Sequence, residues 1–253
     1  VTTDDATAST EPRRRPERRH LPLWQESLVL LVVAVVLAVV LKTFFVQAFY
    51  IPSESMEPGL VKDDRILVQK VSHWRGSPQR GDVVVFEDPG GWLPTDEVPG
   101  PGNPVTEVLT RVGLMPSGGH LVKRVIGVAG DTIVCCDDNG DLQVNGVAID
   151  ESGYVRDDPD SPCNGPMPAS KCNWTAGPVP VGHVFVMGDN RANSADSSQK
   201  LCLPDVTDCV PGREFVPDDL VVGKVFALVW PLSRFGGVTG AGSTFDEVPA
   251  GTS

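Results

Sequence analysis

With four in 253 residues, histidine is scarce in this chain. His20 precedes the one long apolar run, and His73, His120 and His183 stand in no recognisable triad frame. A Ser-His-Asp arrangement therefore has no support beyond composition. A lone histidine at a strand end is more often a structural hydrogen-bonder. Cations are also short: 21 lysines and arginines face 33 aspartates and glutamates, for a net charge of −12. That balance argues against nucleic acid as a general partner. The chain lacks a CxxC pair and a histidine cluster, so the metal reading is weak. Long polar helical patterns are few, whereas glycine and proline number 26 and 23, which favours strands and loops over bundles. No internal repeat and no second long apolar run is found.

The one apolar run is the strongest bulk signal. Leu28–Leu41 ("LVLLVVAVVLAVVL") holds no polar residue. With its flanks it reaches the ~20 residues that cross a bilayer as helix. A single span is expected over residues 21–48, with Lys42 snorkelling and Phe44, Phe45, Phe49 and Tyr50 at the interface. Arg13, Arg14, Arg15, Arg18 and Arg19 precede it. They place the N-terminus in the cytoplasm and the body of the chain beyond the membrane. A cleaved signal peptide ending near "VQA" (Val46–Ala48) is the competing reading. Either way the bulk of the protein lies outside the cytoplasm.

All six cysteines follow this run, at Cys135, Cys136, Cys163, Cys172, Cys202 and Cys209. An oxidising compartment fits that placement. Cys163 with Cys172 and Cys202 with Cys209 each bracket a short loop and are the pairs expected, although six cysteines allow about 15 connectivities. Residues 1–20 read as a disordered basic segment and Gly236–Ser253 as a disordered tail. Between Phe49 and Phe235, short β-like runs ("RILVQKV", "GDVVVF", "HLVKRVIGV", "HVFVMG", "VVGKVFALVW") alternate with Gly/Pro/Asp turns. The class expected is mainly β: a coiled antiparallel sheet on one N-terminal helix. Gly90–Gly119 and Asp157–Val181 read as Pro-rich insertions, the first with a short helix near "TEVLTRVGL".

Three stretches could carry chemistry. In "LVKRVIG", Lys123 and Arg124 are neighbours on a strand and must face opposite ways. One of them enters apolar surroundings. A lysine desolvated there loses its charge and can take a proton from a hydroxyl. An edge strand with both charges snorkelling is the plainer reading. "GDNRANSADSS" (Gly188–Ser198) makes side-chain to backbone turn bonds and could set a hydroxyl beside a buried amine. "IPSESMEPGL" (Ile51–Leu60) places Ser53 and Ser55 just past the apolar run, as a polar hinge or a nucleophile.

Taken in order, "SESMEP" after the run, "RGDVVVF", "KRVIGVAGD", "GDNRANSADS" and the closing "VVGKVFALVWP" resemble the bacterial type I signal peptidase (leader peptidase) family. The resemblance implies Ser55 as nucleophile, Lys123 as general base and Ser53 as oxyanion donor. It matches Ser194 to the serine that orients the lysine, and Arg124, Asp189 and Asp196 to structural support, with Arg124 and Asp189 paired. Phe49, Ile51, Leu60, Val85, Leu121 and Val122 match substrate-pocket positions. The implied reaction is removal of signal peptides from exported preproteins after small-x-small (Ala-x-Ala) sites, at the plasma membrane, near the secretion translocon. No cofactor is implied. Two departures stand out: Gly59 replaces the family's usual Thr, and Ser198 stands where an Arg often follows "DS" and would partner Asp196. Other classes remain as alternatives. A self-cleaving Ser/Lys regulator would work in the cytoplasm, and a sortase-like enzyme needs a cysteine nucleophile. A non-enzymatic membrane-anchored β binding domain would need no neutral lysine.

Overall fold

The computed structural model describes residues 22–70, 76–93, 103, 119–158, 161, 163, 165–168, 171–204, 206, 209–238 and 240–252. The expectations for residues 1–20, for His73 and for a helix near 106–114 fall outside them. The chain divides into two compact units between Val39 and Val40.

The first unit holds most of helix α1 (Leu23–Phe44). Along it the consecutive residues Leu28, Val29, Leu30, Leu31, Val32 and Val33 are all exposed, as are Val35, Val36 and Leu37. Side chains at 23 and 39–44 lie outside the described residues. Among the described residues, no helix is long and apolar enough to cross a membrane.

The second unit is β-rich. Its strands are β1 (Val46–Tyr50), β2 (Arg65–Gln69), β3 (Val83–Glu87), β4 (His120–Gly127), β5 (Ile133–Cys135), β6 (Gln143–Val144), β7 (Val147–Ala148), β8 (Trp174–Ala176), β9 (His183–Met187), β10 (Val216–Pro217), β11 (Val221–Trp230) and β12 (Gly236–Gly237). The larger sheet runs β1-β2-β11-β3-β4-β9-β10, with β12 on β11, and a four-stranded sheet runs β7-β6-β5-β8. All pairs are antiparallel. Register shifts on β11 and between β4 and β9 break the ladder. Such irregularities add right-handed twist, and the sheet curls.

The β-branched run explains the centre of the sheet. Val83, Val84, Val85 and Phe86 of β3 are all buried. Successive side chains point to opposite faces, so Val83 and Val85 join a core with Phe49, Ile51, Met56 and Leu60, while Val84 and Phe86 join one with Trp92, Leu121 and Val125. A third core lies under the smaller sheet, around Ile126, Ile133, Met167, Trp174 and Phe185.

Two organisational expectations are corrected. The described residues of Gly236–Ser253, 236–238 and 240–252, are not a loose tail. Gly236 and Gly237 pair with Leu228 and Ala227, and Phe245 and Val248 are buried in the third core. Arg80 donates to the Val248 and Pro249 carbonyls at 3.1 and 2.9 Å. Two apolar side chains and an arginine grip suffice to dock a segment that composition alone reads as unstructured. Asp157–Val181 is likewise more than an insertion: it supplies β8 and the buried Cys163, Met167, Trp174 and Val179.

Candidate active site

Strand β4 sets the geometry. Lys123 and Arg124 sit opposite Val84 and Val83 of β3, with side chains on opposite faces. Both are buried, at 3% and 4% exposure. They meet different partners. Arg124 grips Asp189 through two parallel bonds of 2.8 and 2.7 Å, donates to the Gly81 carbonyl at 2.9 Å, and lies 4.2 Å over the Tyr154 ring. Among the described residues, no carboxylate forms an ion pair or hydrogen bond with Lys123. Its Nζ lies 2.6 Å from Ser55 Oγ and 3.1 Å from the Val122 carbonyl. Burial pushes its pKa down to about 8, against the opposing pull of Asp196 and Asp189.

Ser55 is delivered by a tight turn after β1. The Glu57 and Leu60 amides donate to the Glu54 and Met56 carbonyls at 3.1 and 2.9 Å. Asn190 N donates to the Ser55 carbonyl at 3.0 Å, and Asn190 Nδ2 to the Glu54 carbonyl at 3.2 Å. Arg234 donates to the Gly59 carbonyl at 2.9 Å from the far side. The Ser55 turn is thus clamped to the segment after β9 rather than left as a free hinge. Ser55 is 6% exposed, and the exposed Ser53 places its Oγ 3.3 Å from Ser55 Oγ.

Gly188 is where the clamp is tightest. A Cβ there would meet the Ser55 carbonyl oxygen at 2.5 Å and would also strike Ser194 Oγ. No other residue allows that approach. Gly188 N donates to Asp196 Oδ2 at 3.0 Å, and Asp196 Oδ1 accepts from Ser198 N and Ser198 Oγ at 3.0 and 2.7 Å. Asp196 therefore holds the Gly188 end of β9 through backbone, not through a neighbouring arginine. Ser194 Oγ is buried beside Gly188 and makes no hydrogen bond. The expected bond from Ser194 to the lysine amine is not made.

A cleft of about 700 Å³ opens on Ser55 and Lys123. Phe49, Ile51, Leu121 and Val122 line it, together with Ser53. Leu60 and Val85 do not; both are buried in the core behind Ile51 and Met56. The cause for Val85 is the strand period: β3 is covered on both faces, so its alternation carries no pocket signal. The cleft also takes in Met56, Trp92, Leu93 and His120, which sequence reasoning missed. The His120 ring packs 5.3 Å from that of Phe49. His183 starts β9 and its Nδ1 lies 3.1 Å from the Val181 carbonyl.

A second group was also missed. Arg191 is wholly enclosed and pairs with Glu151 at 2.5 and 3.0 Å, while its Nε donates to the Gly188 carbonyl at 2.9 Å. Tyr154 donates to Glu151 at 2.6 Å. Arg191 lies within the "GDNRANS" turn; an arginine in the turn that follows a buried strand was the available signal. Glu151 had none.

The cysteines pair as Cys163–Cys172, Cys202–Cys209 and Cys135–Cys136. Among the described residues, no group of three or more His, Cys, Asp or Glu is placed to hold a metal.

A family model described as signal peptidase, peptidase S26, matches residues 24–230. The signal peptidase I of Mycobacterium tuberculosis is 41% identical over 245 residues, 92% of this chain and 80% of that protein. A probable signal peptidase I of Mycobacterium leprae is 39% identical over 251 residues, 92% and 83% of the two chains. A probable signal peptidase I of Synechocystis is 32% identical over 233 residues, 90% and 84% of the two.

Proposed function

Because the chain belongs to the bacterial type I signal peptidases, family S26, we propose that it removes N-terminal signal peptides from exported preproteins with a Ser55/Lys123 dyad. The observation that carries this reading is the buried amine 2.6 Å from Ser55 Oγ. A lysine with its pKa down at about 8 supplies neutral base at physiological pH, as a serine nucleophile needs.

Acyl transfer proceeds in two halves. Ser55 Oγ attacks the scissile carbonyl as its proton passes to Lys123 Nζ. The oxyanion is met by Ser53 Oγ and the Ser55 backbone N–H, donors worth about 3–4 kcal/mol each. Nζ returns the proton to the departing amine of the mature protein, leaving the signal peptide as an ester on Ser55. Lys123 then takes a proton from water, whose oxygen attacks the ester and frees Oγ. Phe49, Ile51, Leu121 and Val122 give the cleft its apolar wall, which suits small side chains at an Ala-x-Ala site. Arg124 and Asp189 tie β4, which carries Lys123, to the segment after β9 that clamps the Ser55 turn, Asp196 holds Gly188 in that segment, and Ser194 orients the amine during turnover.

The bilayer is the cover we assign to α1. A helix that is apolar and exposed all round, as over Leu28–Leu37, has no place in water. Trp230, Leu232 and Phe235 also stand exposed at and just past the end of β11 and suit a membrane surface. The enzyme is then a single-pass protein of the bacterial plasma membrane, its N-terminus cytoplasmic and its β domain outside, working near the secretion translocon.

The test is cleavage of a preprotein bearing an Ala-x-Ala site, in lipid vesicles, by wild type, Ser55→Ala and Lys123→Ala. Wild type is expected to cut there, with activity rising through about pH 8. Both variants lose on the order of 10⁴-fold or more while remaining folded. Variants that cut as well as wild type would remove the dyad.

A further inference from the structure

Lys171 is a buried amine that the mechanism above does not use. It is 7% exposed and lies on the loop closed by Cys163–Cys172. That loop is anchored in the third core by Cys163 and Met167, and Met167 Sδ lies 3.9 Å from Arg191 Nη1. The Lys171 amide donates to the Pro168 carbonyl at 2.9 Å. Its Nζ lies 3.4 Å from Ser198 Oγ. Ser198 Oγ in turn donates to Asp196 Oδ1 at 2.7 Å. The other oxygen of Asp196 holds Gly188 N, and Gly188 abuts the Ser55 carbonyl. A chain of polar contacts thus runs from the disulfide loop to the nucleophile.

Asp196 needs such a partner. Its carboxylate is 1% exposed, and the groups bonded to it are two backbone amides and one hydroxyl, none charged. A buried carboxylate with no balancing cation is costly. The position two residues on, where an arginine would serve, is Ser198. Asp196 acts electrostatically on both Lys123 and Lys171; burial pushes the Lys171 pKa down to about 8 against that pull, so Lys171 supplies its positive charge below about pH 8.

We propose that Lys171 is a positioning residue for the Ser55/Lys123 dyad: through Ser198 it balances the Asp196 carboxylate, so that this charge does not fix Lys123 as an ammonium ion. The inference rests on the dyad reading. It also gives the disulfide-closed loop a role: the loop carries, from elsewhere in the chain, the cation that the turn itself lacks. The charged groups that bear on the arrangement are Asp196 and Asp189 at Lys123, and Asp196 and Lys200 at Lys171. Arg124, Arg191 and Glu151 act on Asp189.

The test is the pH profile of kcat/KM for the full chain in lipid vesicles, with Lys171→Met and Lys171→Arg. Without the Lys171 charge, Asp196 acts on Lys123 unopposed and the acidic limb moves upward by roughly half a unit to one unit. Lys171→Arg keeps the charge, and its limb stays at or below that of wild type. A purely structural lysine would slow both variants without moving either limb. A Lys171→Met profile that coincides with wild type, or an arginine variant that shifts as far as the methionine one, overturns the proposal. Lysine-selective ¹³C NMR in detergent micelles reads the Lys123 titration directly, with no substrate. A wild type that cuts no preprotein sinks the proposed function, whereas an unmoved Lys123 titration in Lys171→Met sinks this inference alone. Lys171→Gln provides a second neutral variant should the methionine one fail to fold.

Discussion

Two buried basic regions lie on either side of the β4–β9 pair, and they meet opposite fates. On one side Arg191 is enclosed with Glu151, Tyr154 and the Gly188 carbonyl. Burial alone would strip its charge, but Glu151, Tyr154 and Asp189 more than offset that, and its pKa rises above the ordinary arginine value. On the other side Lys123 is as deeply buried but touches a hydroxyl and a carbonyl, not a carboxylate. Nothing in contact repays its desolvation, so its pKa falls. The same burial therefore makes a permanent cation in one region and a base in the other. What differs is whether a carboxylate stands within bonding distance. The paired region fixes geometry; the unpaired one is where chemistry is possible.

Breaking the paired region has the largest expected effect. Glu151→Gln leaves the Arg191 guanidinium charged, enclosed and without its counter-ion. Removing one partner of a buried pair costs about 3–5 kcal/mol. Chemical denaturation of the variant at neutral pH measures it. Activity falls too, because Arg191 bonds the carbonyl of Gly188, the residue that abuts the Ser55 carbonyl. A loss under about 1 kcal/mol would place this pair with solvent-screened surface bridges and end the contrast.

The unpaired region behaves in the opposite sense. Lys123→Met abolishes cleavage yet stabilises the fold. The folded pKa, about 8, lies below the ordinary lysine value of 10.5, so the folded state is penalised wherever the amine must charge. Below pH 8 the penalty is complete, about 3 kcal/mol by linkage. Between 8 and 10.5 it declines, and above 10.5 it vanishes because the amine is neutral in both states. Unfolding curves at pH 7 and pH 11 measure both ends. Equal stabilisation at the two would assign the gain to packing rather than to charge.

This contrast was only half legible in the sequence. Adjacent basic residues on a strand must part, so "KR" announced that one of them faces an apolar wall. The order of the local motifs named Ser55 and Lys123 and implied the Arg124–Asp189 pair, which the structure makes with two bonds. The mainly β class followed from short β-branched runs. The third dimension of the site was not legible. Glu151 reaches Arg191 across 40 residues, and Trp92 reaches the cleft from the start of a Pro-rich segment. Neither contact has a local pattern. Leu60 and Val85 were misplaced for a related reason. An apolar residue near a site is as suited to the core behind it as to the pocket in front, and only packing decides. The C-terminal segment was misjudged because its docking rests on backbone carbonyls gripped by Arg80, and backbone groups leave no compositional mark.

Ser194 offers the smallest effect and the finest test of the comparison. Its Oγ is buried beside Gly188 without a hydrogen-bond partner. A neutral amine has one lone pair and two N–H groups. Once the amine is neutral, its lone pair must turn to the Ser55 hydroxyl proton, and the Val122 carbonyl takes one N–H, which leaves one donor. A hydroxyl waiting to accept it costs stability in the resting protein and helps only when the amine must be aimed. Ser194→Ala should then leave stability unchanged or raise it by up to about 1 kcal/mol, because an unpaired buried hydroxyl is removed. It should also lower kcat by about tenfold with little change in KM, because an unaimed amine collects the Ser55 proton less often. Thermal unfolding and steady-state cleavage read the two arms separately. A destabilisation above 1 kcal/mol would mean that Oγ is already bonded at rest, and an unchanged kcat would mean that Lys123 is aimed by Ser55 and Val122 alone.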